Sequence, residues 1–256
     1  MDFAHFCGWA YAIFWGISFY PTLYLNYTLK TSDSISLDYI VLNILGYFCY
    51  CISMYLQLYN ADVRTQYQGY FEGKLPLLSN ADLFYSFHGM ALLLVLASQI
   101  FCGNTIWKFK NERKSFKIHT LSKMVLMLFL VFAIFSWKLG DPVFALLNFA
   151  MNLAYFKIII SLIKYIPQVL HNYRRKSMFG ISRLQIIFDI TGSFFSFAEF
   201  YLKSDIPIVE AIDANRGKVG ITCVTSLFAT IFLYQMYIYG TSRSEQRLKE
   251  KHYDLA

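Results

Sequence analysis

The chain has 256 residues, of which 57% are hydrophobic, 19% aromatic and only 15% charged. The apolar residues come in blocks of about 20, the length that spans a hydrocarbon core. That excludes an ordinary soluble domain. The formal charge of +7 is unevenly placed, as shown below, so it reads as a topology signal and argues against nucleic acid as a partner.

Seven membrane spans are expected, at 3–27, 35–58, 82–106, 119–138, 142–171, 183–202 and 218–239. Span one starts near Met1 but is about 25 residues long and lacks a basic leader, so it is expected to be a retained helix rather than a signal peptide. Tyr11, Trp15 and Phe19 recur along it every four residues and form one stripe, which fits lipid or core packing as well as a pocket. Pro21 follows. Proline removes a donor and clashes with the carbonyl one turn back, so it kinks a helix.

Span two carries Asp38, Asn43 and Gly46, and span three opens on Asp82 and contains His88. Asp82 after Asn80-Ala81 also fits a plain helix N-cap. Span four, with Lys123 near its start, has no counterpart elsewhere in the chain. Span five holds Lys157, Lys164, the pair Pro167-Gln168 and Asn172; span six holds Gln185, Asp189, Gly192 and Glu199; span seven opens on Lys218. Charges inside a bilayer cost at least about 2.5–3.5 kcal/mol and persist mainly where they have a use. Asp189, deep in span six and three residues before a glycine that allows close helix approach, is the sharpest case. No role is read for Lys123, Lys157, Lys164 or His88, and Glu199 reads as an interfacial charge.

The chain contains the same stretch twice. Sliding it by 146 positions lays Pro21 on Pro167, Asn26 on Asn172, Tyr27 on Tyr173, Lys30 on Lys176, Ile35 on Ile181, Ser36 on Ser182 and Gly46 on Gly192, without a gap. Asn43 and Asp189 then occupy the same place. Interrupted helices at matching places in two halves point to a transporter's central site. The expected organisation is all-α and polytopic: a three-helix repeat at 1–107, a linker with the fourth helix at 108–140, a second repeat at 141–240 and a tail at 241–256, a 3+1+3 order with the two units parallel.

The loops after spans one, three and five, together with the tail, hold thirteen basic residues, against six on the other side. By the positive-inside rule the C-terminus and both proline ends face the cytosol, and the N-terminus faces the lumen. The sequon Asn26-Tyr27-Thr28 then lies on the wrong side for use. The five cysteines lie within spans and show no disulfide framework or metal-ligand spacing, and no P-loop, zinc motif or nucleophile elbow is present. An enzyme is not expected, nor a cofactor beyond the proton as coupling ion.

Four ordered blocks carry a resemblance: Gly8 to Tyr11 with Trp15 to Pro21, Asp82 to His88, Lys164 to Gln168, and Phe188 to Ser196. Together they resemble the cystinosins, proton-coupled cystine exporters of the PQ-loop family, and most closely a fungal member of that family. The resemblance implies export of L-cystine with protons from a vacuolar, lysosomal or endosomal lumen to the cytosol. It implies proton coupling at Asp189 and Asp82, with Asp38 a further candidate that also reads as an interfacial charge. It implies substrate contacts at Lys218, Asn172, Gln185, Asn43, Tyr165, Tyr11, Trp15 and Phe19, and hinges at Pro21, Pro167 and Gln168. Lys218 equally fits an interfacial anchor. Cytosolic loops leave room for a regulatory protein partner. Three features depart from the family: Thr22 stands where a second glutamine is usual, Gln185 stands where asparagine is usual, and Ala256 leaves the tail's tyrosine signal incomplete. Rival readings are a PQ-loop carrier of another amino acid, such as a cationic one, and a seven-helix sorting or signalling receptor.

Overall fold

The computed structural model describes residues 3–70, 73, 80–112, 118–138, 142–203 and 216–241. Among them the chain is all helical. In order come α1 (Phe3–Ile17), α2 (Phe19–Leu29), α3 (Leu37–Tyr59), α4 (Ala61–Tyr70), α5 (Asn80–Phe101), α6 (Thr120–Lys138), a 3₁₀ turn at Pro142–Phe144, α7 (Ala145–Ile163), α8 (Tyr165–Arg175), α9 (Arg183–Lys203) and α10 (Arg216–Tyr239). Four stretches, Leu37–Tyr59, Leu83–Phe101, Ala145–Arg175 and Val219–Tyr239, are long and apolar enough to cross a membrane, and Thr120–Phe135 is a shorter apolar helix. Large apolar side chains such as Phe84, Leu128, Phe194 and Tyr237 stand exposed on the outside, as a surface facing lipid requires.

Two of the expected spans are each broken in two. The break falls at Ser18 between α1 and α2, and at Lys164 between α7 and α8, positions 146 apart. The cause is the proline three residues on. Pro21 and Pro167 cannot donate to the carbonyls of Ile17 and Ile163, four residues back, and their rings crowd those carbonyls. These are the residues at which α1 and α7 end. Each second half also ends alike, on a lysine in the left-handed region: Lys30 at φ 54° and Lys176 at φ 47°. Their ammonium groups lie 3.7 Å and 3.5 Å from the ring centres of Tyr27 and Tyr173.

One helix was not expected. Asn60 accepts the Val63 N–H at 3.0 Å, the bond of a helix N-cap, and starts α4 in what reads as a loop.

The repeats pack crosswise. The most extensive contacts join α1 to α9 and α3 to α7, and each repeat adds its third helix, α5 on α3 and α10 on α9. Lipid is as apolar as a leucine core, so close packing and internal polar bonds hold such helices together. Gly192 lets α9 close on the indole of Trp15 in α1, and its repeat mate Gly46 lets α3 close on Ile160 in α7. The main core cluster runs through both repeats, from Phe19, Ile40 and Tyr47 to Tyr165, Ile186 and Phe232.

Candidate functional site at the crossing of the broken helices

Where α1/α2 and α7/α8 break, each gap residue meets the second helix of the other repeat. Lys164 Nζ donates to Asn43 Oδ1 at 2.9 Å. In the mirrored place the Ser18 hydroxyl lies within hydrogen-bonding reach of the Asp189 carboxyl. The Ser18 hydroxyl is also within reach of the Trp15 carbonyl, to which it donates at 3.0 Å. The Asp189 backbone is held as well, because Trp15 Nε1 donates to its carbonyl at 3.2 Å. Lys164 and Asp189 are near enough for their charges to act on one another.

A cavity of about 40 Å³ opens at this crossing, lined by Asp189, Thr22, Gln168, Gln185, Tyr39 and Tyr165 with apolar neighbours that include Phe19 and Phe232. A water needs about 10–15 Å³ by this measure, so the space holds a few waters and no amino acid. The Thr22 hydroxyl donates to Gln185 Oε1 across it. The Tyr165 ring stacks on Phe228 at 4.9 Å and meets Tyr39 at 5.9 Å, giving the cavity an aromatic wall.

The structure gathers Asp189, Gln185, Tyr165, Phe19 and Gln168 around the cavity and sets Asn43 behind Lys164. Trp15 supports Asp189 from behind, and Tyr11 meets the Trp15 ring edge-on at 5.5 Å. Asp82 and Lys218 lie in α5 and α10, but their side chains lie outside the described residues.

Asn172 sits lower, in a clamp. It donates to Gln235 Oε1 at 3.0 Å, and Gln235 Nε2 donates to the Val169 carbonyl at 3.0 Å. The first repeat has the same clamp: Asn26 donates to Gln99 Oε1 at 3.0 Å, and Gln99 Nε2 to the Leu23 carbonyl at 3.1 Å. Leu23 and Val169 are 146 apart, so each clamp fastens the second half of a broken helix to the third helix of its own repeat.

Asp38 stands apart from the cavity. Its carboxylate accepts the His119 backbone N–H at 2.8 Å and meets His119 Nδ1 at 2.6 Å. Arg174 lies 2.8 Å from His119 Nε2; since a guanidinium only donates, Nε2 accepts and Nδ1 carries the proton toward Asp38. Two residues left without a role in the sequence also find partners, Lys157 within the bundle and His88 at its exposed face. Lys157 Nζ lies 3.7 Å above the Tyr47 ring, whose hydroxyl is 3.0 Å from that of Tyr85, and His88 Nε2 is 2.9 Å from the Tyr20 hydroxyl.

The site residues that the sequence left unassigned are Lys164, Ser18, Gln99 and Gln235. A signal existed for the first two, since the 146-residue shift pairs Ser18 with Lys164 as it pairs Asn43 with Asp189. The two glutamines lie 136 apart because fewer residues separate α9 from α10 than α3 from α5, and the shift misses them.

The PQ loop repeat profile matches residues 3–63 and 149–209, the same 146-residue offset. The chain is 34% identical over 248 residues to the "Cystine transporter" of Saccharomyces cerevisiae, covering 91% of this chain and 92% of that one. It is 31% identical over 235 residues to the "Cystinosin" of Drosophila melanogaster and 29% identical over 233 residues to that of Bos taurus. These alignments cover 91% and 90% of this chain but only 57% and 61% of the longer animal proteins. The repeat offset, the matched breaks and these likenesses agree: the chain belongs to the PQ-loop repeat family, in its cystinosin branch.

Proposed function

We propose that the chain is a proton-coupled transporter that carries cystine from the lumen of a vacuole, lysosome or endosome to the cytosol by alternating access. In this reading seven spans form two parallel three-helix repeats joined by α6, with the C-terminus in the cytosol. The observation that carries it is a carboxyl, Asp189, set in a cavity between the repeats within electrostatic range of the Lys164 ammonium. Cystine brings two carboxylates and two ammoniums, so a site for it needs groups of both signs. Asn43 adds to this, because its buried Nδ2 has no protein partner and is available to donate to a carboxylate. The Saccharomyces cerevisiae relative is named for the same substrate.

Coupling follows from chemistry. A carboxyl that loads a proton from an acid lumen and releases it to the cytosol draws about 1.4 kcal/mol per pH unit, enough for roughly tenfold accumulation. The small cavity corresponds to a closed state between the two open ones, and the proline breaks supply the bending points. The test is radiolabelled cystine flux into vesicles under an imposed pH gradient. Uptake that ignores the gradient would remove the coupling, and binding without accumulation would favour a receptor.

A further inference from the structure

The 146-residue shift converts each seam between the repeats into its counterpart, so a difference between the seams comes from side chains alone. One seam joins α8 to the residues leading into α3. Gln168 Nε2 donates to the Ser34 carbonyl and to Asn172 Oδ1, both at 2.9 Å, and Gln168 Oε1 accepts the Ser36 N–H at 2.8 Å. His171 Nε2 adds a bond to the Asp33 carbonyl at 3.0 Å. All four bonds are at least partly buried, and Ser34, Ser36, Gln168 and Asn172 are fully so.

The mirrored seam joins α2 to the residues leading into α9. The counterparts of Gln168 and His171 are Thr22 and Leu25. Thr22 is short and reaches the Gln185 side chain, and the Leu25 side chain has no polar group. Here the structure has an open groove of about 450 Å³, lined by Leu25, Leu29, Phe179 and Arg183 with the backbone between them. The two seams meet at Ser34, whose hydroxyl donates to the Gly180 carbonyl at 2.9 Å. Positions 34 and 180 are themselves 146 apart, so this bond lies on the axis relating the repeats.

We propose that the end of the bundle carrying Lys30 and Lys176 opens on one side only. The first half-helix, α2, clamped to α5 by Gln99, swings away from residues 179–183, while α8 stays stapled to α3 by Gln168 and His171 as positioning residues. Opening the α8 seam would strand the buried Ser36 N–H and the Gln168 amide, and an orphaned buried donor is the expensive outcome. Opening the α2 seam widens an existing groove and separates the Thr22 hydroxyl from the Gln185 side chain, with no backbone N–H among the hydrogen bonds described there. Thr22 in place of glutamine is then what makes the gate asymmetric. The inference rests on the transport reading for its mechanism, but not for its geometry.

The experiment uses the full chain in vesicles, with Cys102 and Cys223 replaced by Ser. Ser182→Cys and Ser36→Cys occupy mirrored places, and a membrane-impermeant maleimide applied at this end should label the first at least tenfold faster. Next, a short bifunctional maleimide links Leu29→Cys to Ser182→Cys, or the mirrored Arg175→Cys to Ser36→Cys. The first link should arrest cystine flux and the second should leave it within about twofold of the unlinked protein. Equal labelling at the two serines, or arrest by the second link, overturns the proposal. Absence of cystine flux in the unlinked parent refutes the transport reading instead, and the labelling ratio then decides the seam by itself.

Discussion

Gly192→Ala tests whether the crossing of α1 and α9 holds Asp189 in place. A Cβ at this position would lie 2.4 Å from Trp15 Cδ1, 2.7 Å from Nε1 and 3.1 Å from Cγ. Ordinary contact begins at 3.4 Å, so the indole or the helix must retreat by about 1 Å. Either movement breaks the Trp15 bond to the Asp189 carbonyl. Overpacking of this kind costs about 1–3 kcal/mol and the lost bond about 0.5–1.5, so a loss of roughly 2–4 kcal/mol is expected. Two glycines calibrate the result. Gly46→Ala, the repeat mate, meets Ile160 Cγ2 at 3.0 Å and the flexible Lys157 stem at 3.2 Å, and should lose less. Gly220→Ala meets nothing within 4 Å in α10 and should be neutral or slightly stabilising. Thermal unfolding of the three purified variants in one detergent, followed by loss of the monodisperse peak, gives the ranking. Equal tolerance of Gly192→Ala and Gly220→Ala would refute the argument that this crossing is close-packed through Trp15.

Asp189→Asn keeps shape and a hydrogen-bonding group but cannot release a proton; it should abolish pH-driven cystine accumulation while leaving some cystine-for-cystine exchange. Full accumulation would place the proton at Asp82 first, and Asp38 after it. Lys218→Ala should raise the apparent KM for cystine, with Lys218→Arg only partly restoring it because a guanidinium is larger and planar; a wild-type KM in the alanine variant would mark an interfacial anchor. Pro167→Ala and Pro21→Ala should slow turnover with binding largely retained, and unaltered flux in both would remove the hinge role.

The repeat was the most legible part of the sequence because it survives as a gapless offset, and the helix breaks follow from proline chemistry at both copies. The apolar blocks located the long helices to within a few residues for the same reason they are helical: unpaired backbone is intolerable in lipid. The legible part stops at side chains whose meaning depends on another helix. Gln99 and Gln235 are polar residues in largely apolar runs, and only the fold shows each reaching a carbonyl in a different helix. Asp38 is similar. Sequence placed it among charges near a span end, whereas its partner His119 is 81 residues away. The start of α4 was readable in principle from Asn60-Ala61-Asp62, since a capping asparagine before a polar helix is a local signal.

That histidine changes what the fourth helix is for. In the proposed topology α6 merely carries the chain back across the membrane between two parallel units, and it has no repeat mate to suggest anything more. Yet the residue just before it touches a carboxylate of the first repeat with one ring nitrogen and a guanidinium of the second with the other. That end of α6 is therefore a cross-tie between the two repeats, made by a single ring with one admissible tautomer. Exchanging His119 together with α6 for an inert segment of equal hydropathy should untie the two repeats at that end.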